Sequence, residues 1–442
     1  MMQNSPSLPE NLEIRVYKKR WYILNIFFYY SCINAIQMTE YVSITDIVAK
    51  YYNVSTFAVE WTSLCYMVLY PVMVGPASYI IEKKGLRTAT LIGCVGTAIG
   101  TTIKLFSIDP GKFWVVMLGQ ITNAFCLAFI MSLPPKIAAQ WFKSSEVSLA
   151  CALGSLGPTM GNAIGYLLTV SIVRDSGDLY LVGKSLSYLC WCLTVLMIPV
   201  TLFSVFYYPE KPDFHPSIAQ YKKFVEHRKT TGSRLAVFKS LIFTKGFFIH
   251  LLVYAINIGV LSTIMILISE FVNVYFENSA EHGGNMGFCL LIFGILGSVI
   301  FGYILDKTHK YKEVSVVICL ASAALVMLLL VAFERGLLVF SYIICSIFGI
   351  FINSFIPVGY EFGIELTYPQ EESTVAGVLF GASQIASVIF GVSVTYINMN
   401  FGPFYALISL VILLLIGSLL EICVPNRLER QEVFKIERTE VM

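Results

Sequence analysis

Eleven stretches between Trp21 and Leu420 contain no Asp, Glu, Lys or Arg: 21–39, 61–81, 88–103, 113–135, 147–173, 185–209, 246–269, 283–305, 314–333, 336–360 and 373–420. About 20 mostly apolar residues, rising ~1.5 Å each, span a bilayer as a helix, and nearly all the stretches reach that length. The last is roughly twice the length of one span. It carries Asn398-Met399-Asn400-Phe401-Gly402-Pro403 near its middle, a turn signal that divides it in two. The pattern predicts twelve membrane helices in an all-α polytopic membrane protein, since an aqueous core could not absorb so much apolar helix. Composition agrees: hydrophobic residues make up 57% and charged residues 13%, against about 25% charged in a soluble domain.

Net charge, +2, is uninformative, but its placement sets an orientation. With both termini in the cytoplasm, 24 of the 30 Lys and Arg fall on the inner side. The outer side receives six: Lys50, Lys104, Lys112, Arg174, Lys184 and Arg335. This asymmetry predicts cytoplasmic termini by the positive-inside rule. The expected location is the plasma membrane, with an intracellular organelle membrane as the alternative. The sequon Asn53-Val54-Ser55 falls in the first outer loop and is a candidate glycosylation site. The first twenty residues are polar and basic, without a small-residue cleavage site, so no cleavable signal peptide is expected. The eleven cysteines are scattered through apolar stretches and read as small packing residues.

The chain also repeats itself. Glu82-Lys83-Lys84-Gly85-Leu86-Arg87 follows the second predicted helix, and Gly302-x-x-x-Asp306-Lys307 follows the eighth; 306 − 82 = 224. Pro134 and Pro357 end the fourth and tenth helices, and Gly154 and Gly377 lie in the fifth and eleventh, both pairs offset by 223. A constant offset marks duplicated halves. The expected organisation is an N-terminal tail (1–20), a six-helix bundle (21–208), a polar basic loop (209–245, amphipathic in part over Tyr221–Arg228), a second bundle (246–424) and a C-terminal tail (425–442). This plan resembles the major facilitator superfamily, in which two six-helix bundles hold substrate between them. The acidic-basic-glycine-basic turn is that superfamily's signature. Gly85 permits a tight turn, and Glu82, Lys83, Arg87, Asp306 and Lys307 are expected to gate by pairing across the halves in one conformation. Their alternative reading is orientation charge alone. Ser78 stands where the signature has glycine, which predicts looser packing of that helix end.

Finer motifs resemble the feline leukaemia virus subgroup C receptor family. They are Asn34-Ala35-x-Gln37, Trp61-x-Ser63-x-x-Tyr66-Met67, Lys83-Lys84-Gly85-Leu86-Arg87, Phe113-Trp114-Val115-x-Met117-Leu118-Gly119-Gln120, Trp141-Phe142 with Glu146-Val147-Ser148, and Gly359-Tyr360-Glu361-Phe362-x-x-Glu365-x-Thr367-Tyr368-Pro369. The resemblance implies facilitated transport of choline and ethanolamine, or haem export. It also implies a pocket, in which Met38 replaces a cage tryptophan, Thr159 a glutamine and Ser262 a tyrosine, while Gln384 keeps the family's glutamine. Losing two aromatic walls removes roughly 0.5–2 kcal/mol of cation–π attraction per ring, which weakens the inference of choline. Tyr41 shares the helical face of Met38, three residues on in a helix, and joins the expected pocket.

Other polar residues within the apolar stretches, among them Gln37, Asp46, Gln120, Asn123, Asn162, Asn257, Asn353 and Asn398, are costly to bury without a role. Glu40, two positions after Met38, falls on a different face of the helix. It has two readings: a proton-coupling or cation site, or a paired structural carboxylate. Glu361 and Glu365 are i,i+4 at the inner end of the tenth helix and are expected to pair with the basic turns at 83–87 or 307–312, or to be solvated surface acids. The five histidines fall in loops or at helix ends, which argues against an axial haem ligand in the path. No nucleophile–base motif, phosphate loop or metal-ligand spacing occurs, so no enzyme, cofactor or metal is expected. The expected partners are a small-molecule substrate and the lipid bilayer, without nucleic acid, for a monomer. The alternatives are a proton-coupled transporter of a vitamin or sugar and a receptor with a transporter fold.

Overall fold

The computed structural model describes residues 17–173, 178–209, 211–212, 214, 241, 244–276, 279–426, 428 and 430–431. The segment Tyr221–Arg228 lies outside the described residues. Twelve long helices cross the bundle among those described. They are α1 (Lys19–Thr39), α2 and α3 (56–84 and 86–104), α4 (Phe113–Met131), α5 (Val147–Ile172), α6 (Leu179–Tyr207), α7 (Lys245–Tyr275), α8 (Ser279–Thr308), α9 (Tyr311–Glu334), α10 (Leu338–Thr367), α11 (Glu372–Phe401) and α12 (Pro403–Cys423). Among the described residues, nine helical segments are long and apolar enough to span a membrane, one of them the Thr56–Ser107 run that contains both α2 and α3. The remaining two, α1 and α5, carry more polar and small residues and pack along each other.

Local chemistry sets the breaks. Gly85 separates α2 from α3 at φ 82° and ψ 178°, backbone reserved for glycine. At the matching place in the second half, His309 closes α8 in the left-handed region at φ 52°. Gly402, at φ 93°, and Pro403 divide the last apolar run into α11 and α12 as the turn signal predicts. Ser55 caps α2 by accepting from the Ala58 amide at 3.2 Å. Asn53 ends a short helix, Thr45–Tyr52, in left-handed conformation and is exposed.

Antiparallel alternation puts the start of α1, the α2–α3 and α8–α9 turns and the end of α12 on one face of the bundle, here the tail face; the α1–α2 and α11–α12 connections lie on the far face. The buried core divides accordingly. One large apolar cluster takes residues from both halves near the tail face, including Phe27, Tyr70, Val74, Leu133 and Cys151 with Leu251, Phe355, Val358, Val375 and Leu379. Towards the far face the halves have separate cores, one around Val260, Leu290 and Leu407 and the other around Tyr41, Val48 and Leu189. The halves are thus fused at the tail face and independent at the far face.

Candidate functional site

Two close helix crossings seal the tail face. On α8, Gly302 lies so near α5 that a Cβ there would stand 2.8 Å from the Ala152 Cβ. On α11, a Cβ at Gly377 would meet Val74 at 2.7 Å, the Ser132 hydroxyl at 2.9 Å and the Ser78 hydroxyl at 3.3 Å. Ser78 therefore packs tightly after all: the missing glycine on α2 is offset by a glycine on the facing helix. Beside this crossing the Tyr70 and Phe380 rings meet edge-on at 4.8 Å.

Charges reinforce the seal unequally in the two halves. The amides of Ser148 and Leu149, at the N-terminus of α5, donate to the two carboxylate oxygens of Asp306 at 2.9 and 2.8 Å. This bond crosses the halves and places an anion at the positive end of a helix. Among the described residues, the basic side chains of the first turn bond within their own half. Arg87 donates to the Val205 carbonyl at 3.3 Å and Lys83 to the Tyr79 hydroxyl at 3.1 Å, both within the first half. Lys307 lies over the Tyr303 ring at 5.6 Å in its own half, and Glu82 is half-buried. The charged clamp between α2 and α11 comes instead from Lys136, which bonds the Ile81 carbonyl at 3.1 Å and Glu371 at 2.6 Å. Nothing in the sequence spacing singled out Lys136, whose acid belongs to the other half of the chain.

Glu361 and Glu365 are neither solvated nor paired with the basic turns. They are buried, and the chain beyond α12 folds back onto them: Arg430 donates through Nη2 to Glu361 at 2.5 Å and through Nε to Glu365 at 2.7 Å. Gln431 adds a bond from its amide nitrogen to Glu365 at 3.2 Å and one from its side chain to the Tyr311 hydroxyl at 2.9 Å. Burial opposes the arginine charge, but the two carboxylates more than offset it and hold the guanidinium above the usual arginine range. Arg430 had counted only as a tail charge.

Glu40 is fully buried and pairs with Lys104, also buried. Lys104 is therefore no outer-loop charge. Gln120 stands by the same carboxylate at 3.4 Å and bonds the Gln37 carbonyl at 2.9 Å, while Tyr66 donates to Gln120 at 2.9 Å. Gln37, Asn123, Asn34 and Thr97 continue the network between α1, α3 and α4. These polar groups lie inside the first half, where α1 packs against α3 and α4. The geometry is that of the paired structural carboxylate. A second buried group occupies the other half, where His250 sits between Glu421 (3.1 Å) and the Gly359 carbonyl (2.9 Å) in the second turn of α7. It lies near the start of α7, at a helix end as the sequence reading has it, but is fully buried and paired.

The expected pocket residues separate into two groups. Tyr41 is buried in the first half's far core, with its hydroxyl 3.8 Å from the Cys190 sulfur and Lys104 over its ring. The backbone stays helical through Glu40 and Tyr41, so the spacing to Met38 holds, but packing against Cys190 and Lys104 places the Tyr41 ring inside the first half and not at the seam. Thr159 and Gln384, by contrast, each lie seven residues beyond a seam contact, Ala152 and Gly377. Seven residues turn a helix through about 700° and advance about 10 Å, so both side chains point across the interface two turns above the seal. Thr159, Ser262 and Met38 are half-buried. The Thr159 and Ser262 hydroxyls donate to their own helices, to Ser155 at 3.5 Å and Ile258 at 3.0 Å, which leaves their oxygens free to accept. The side-chain carbonyl of Gln384 is buried without a partner among the described residues.

Two six-helix halves, sealed on one face around a central seam, define a membrane transporter that works by exchanging access between its faces. The family model of the Major Facilitator Superfamily matches residues 26–391. The zebrafish (Danio rerio) protein named choline/ethanolamine transporter flvcr2a is 34% identical over 430 residues, covering 96% of this chain and 91% of that one. The human (Homo sapiens) choline/ethanolamine transporter FLVCR2 is 31% identical over 431 residues, covering 97% and 81%. Among solved structures, the proton:xylose symporter XylE superposes with a TM-score of 0.76 at 12% identity, covering 94% of this chain and 98% of that one, a likeness of fold. The chain belongs to the feline leukaemia virus subgroup C receptor family of the major facilitator superfamily. It is a multi-pass solute transporter and not an enzyme.

Proposed function

We propose that this chain carries small amino alcohols, ethanolamine foremost and choline second, by facilitated alternating access, with the tail face cytoplasmic. The observation that carries the reading is the relationship to named choline/ethanolamine transporters over nearly the whole chain. The shared core at the tail face and separate cores at the far face support a conformation closed towards the cytoplasm and open outwards. The distribution of Lys and Arg supports the orientation, and the exposed Asn53 then stands outside, where it accepts a glycan. A single chain contains both walls of the path, so a monomer suffices.

The preference for ethanolamine follows from the pocket's chemistry. Thr159, Ser262 and Gln384 offer acceptor oxygens, and a buried acceptor without a donor costs about 1–3 kcal/mol. A primary ammonium and a hydroxyl bring four donors; a quaternary ammonium brings none beyond its hydroxyl. Met38 supplies soft contact where a ring would hold a quaternary head by cation–π attraction. Haem has no part in the proposal: the described His250 and His282 already have protein partners.

The test is uptake of labelled ethanolamine and choline into cells producing each variant. Gln384→Ala is expected to reduce uptake of both at least about tenfold through loss of the carbonyl contact. Unchanged uptake would place the substrate against another helix. Met38→Trp is expected to raise choline affinity by up to about tenfold, the effect of ~1.4 kcal/mol, with little change for ethanolamine. An equal gain for both would show that position 38 does not touch the ammonium head. Failure to take up either amine in any variant would return the choice to another small polar solute.

A further inference from the structure

We infer that Arg430 is a gate residue of the transport cycle: by neutralising Glu361 and Glu365 it lets the tail-face seam close, and its removal biases the transporter towards the state open on that face. The placement is specific. Two carboxylates at i,i+4 on one helix face repel each other, and a buried carboxylate without a counter-charge is strongly unfavourable. The planar guanidinium meets both at once, at 2.5 and 2.7 Å, and all three side chains are buried. Gln431 pins the same segment to α9 through Tyr311 and to α10 through Glu365.

These contacts lie within the second half, yet they bear directly on the seam. Helix α10 packs against α5 across the seam, and Cys151 of α5, in the first half, is fully buried beside Glu361. One turn earlier, Ser148 and Leu149 present their amides to Asp306. Asp306 therefore meets the N-terminus of α5 and Glu361 lies beside Cys151 one turn on, while Glu365 is joined to Glu361 through the shared Arg430. The helix end balances Asp306, and Arg430 balances the other two. Without Arg430 the closed seam would enclose uncompensated negative charge, whereas the open seam exposes the same carboxylates to water. The arginine thus acts on the difference between the two states. It is a positioning residue that touches no substrate.

The fold contains its own reporter, since Cys151 is fully buried while the seam is closed. Purified full-length protein is treated with N-ethylmaleimide, and modification of the Cys151 peptide is followed by mass spectrometry, without any substrate. Arg430→Gln is expected to be modified about tenfold faster than the parent, as a tenfold shift in the seam equilibrium requires. Arg430→Lys, which keeps the charge and loses the fork, should fall between the two. The triple variant E361Q/E365Q/R430Q, which removes all three charges, should return to the parental rate. Parental rates in both Arg430→Gln and Arg430→Lys overturn the inference, as does a triple variant modified as fast as Arg430→Gln. If Arg430→Gln does not accumulate, the lysine and triple variants decide by the same criteria. Since no substrate is present, the outcome is independent of the amine assignment.

Discussion

Lys104→Met is expected to destabilise the protein by about 3–5 kcal/mol, the cost of leaving one partner of a buried ion pair uncompensated. Glu40 would remain in a fully buried site with Gln120 as its hydrogen-bond partner among the described residues. The double variant E40Q/K104M leaves no net charge in the site and should recover most of that stability. Thermal unfolding of purified protein in one detergent, for the parent and both variants, measures the effect. A double variant as unstable as K104M would show that packing of the lysine stem, not charge pairing, is what matters. The same double variant separates the two roles weighed for Glu40. If the carboxylate is structural, E40Q/K104M should transport at near-parental rates; if it couples transport to a proton or cation, uptake should collapse while the protein stays folded.

Asp306→Ala is expected to weaken the closed seam by about 2–4 kcal/mol, through loss of two bonds from backbone amides to a charged acceptor. It would leave the Ser148 and Leu149 amides unpaired at a buried helix start, and the population would shift towards the form open at the tail face. Cys151 modification should accelerate and outward-facing substrate binding should weaken together. Asp306→Asn, which keeps one acceptor oxygen, should show a smaller shift. Arg87→Ala should have much less effect, since the Arg87 contact lies within its own half. Equal effects of the Asp306 and Arg87 variants would restore the symmetrical gate that the repeated turns suggest. Because one turn seals through Asp306 and the other half is clamped by Lys136 and Glu371, duplication has preserved the position of the gate and not its chemistry.

Much of the molecule was legible in one dimension because the bilayer imposes a one-dimensional rule. Helices must satisfy their own backbone in hydrocarbon, so charge-free runs of about 20 residues reveal the spans, and strong local punctuation reveals their ends. Gly85 and the Gly402-Pro403 pair broke the helices where expected, for reasons belonging to those residues alone. The constant offset exposed the two halves, and His309 at the counterpart of Gly85 shows that the backbone repeats even where the residue does not. Glu40 pairs with Lys104 inside the first half, while Met38, two positions earlier, packs against the core that both halves share. Tyr41 keeps helical backbone but packs into the first half's far core, a burial set by Cys190 and Lys104 from distant helices and not by spacing along α1.

The sequence by itself determined the membrane class, the twelve helices, the duplication and the family, along with the absence of aromatic rings at Met38, Thr159 and Ser262. Each is a property of residue type, local spacing or alignment. The partners of the buried charges were decided only by the tertiary structure. Lys104 lies 64 residues from Glu40, Asp306 lies 158 from Ser148, and Arg430 lies 69 from Glu361. No local rule distinguishes a lysine counted in an outer loop, or an arginine counted in a tail, from one folded back into the protein. A charge meets its partner only when helices distant in sequence pack side by side, and in this chain that packing forms the gate.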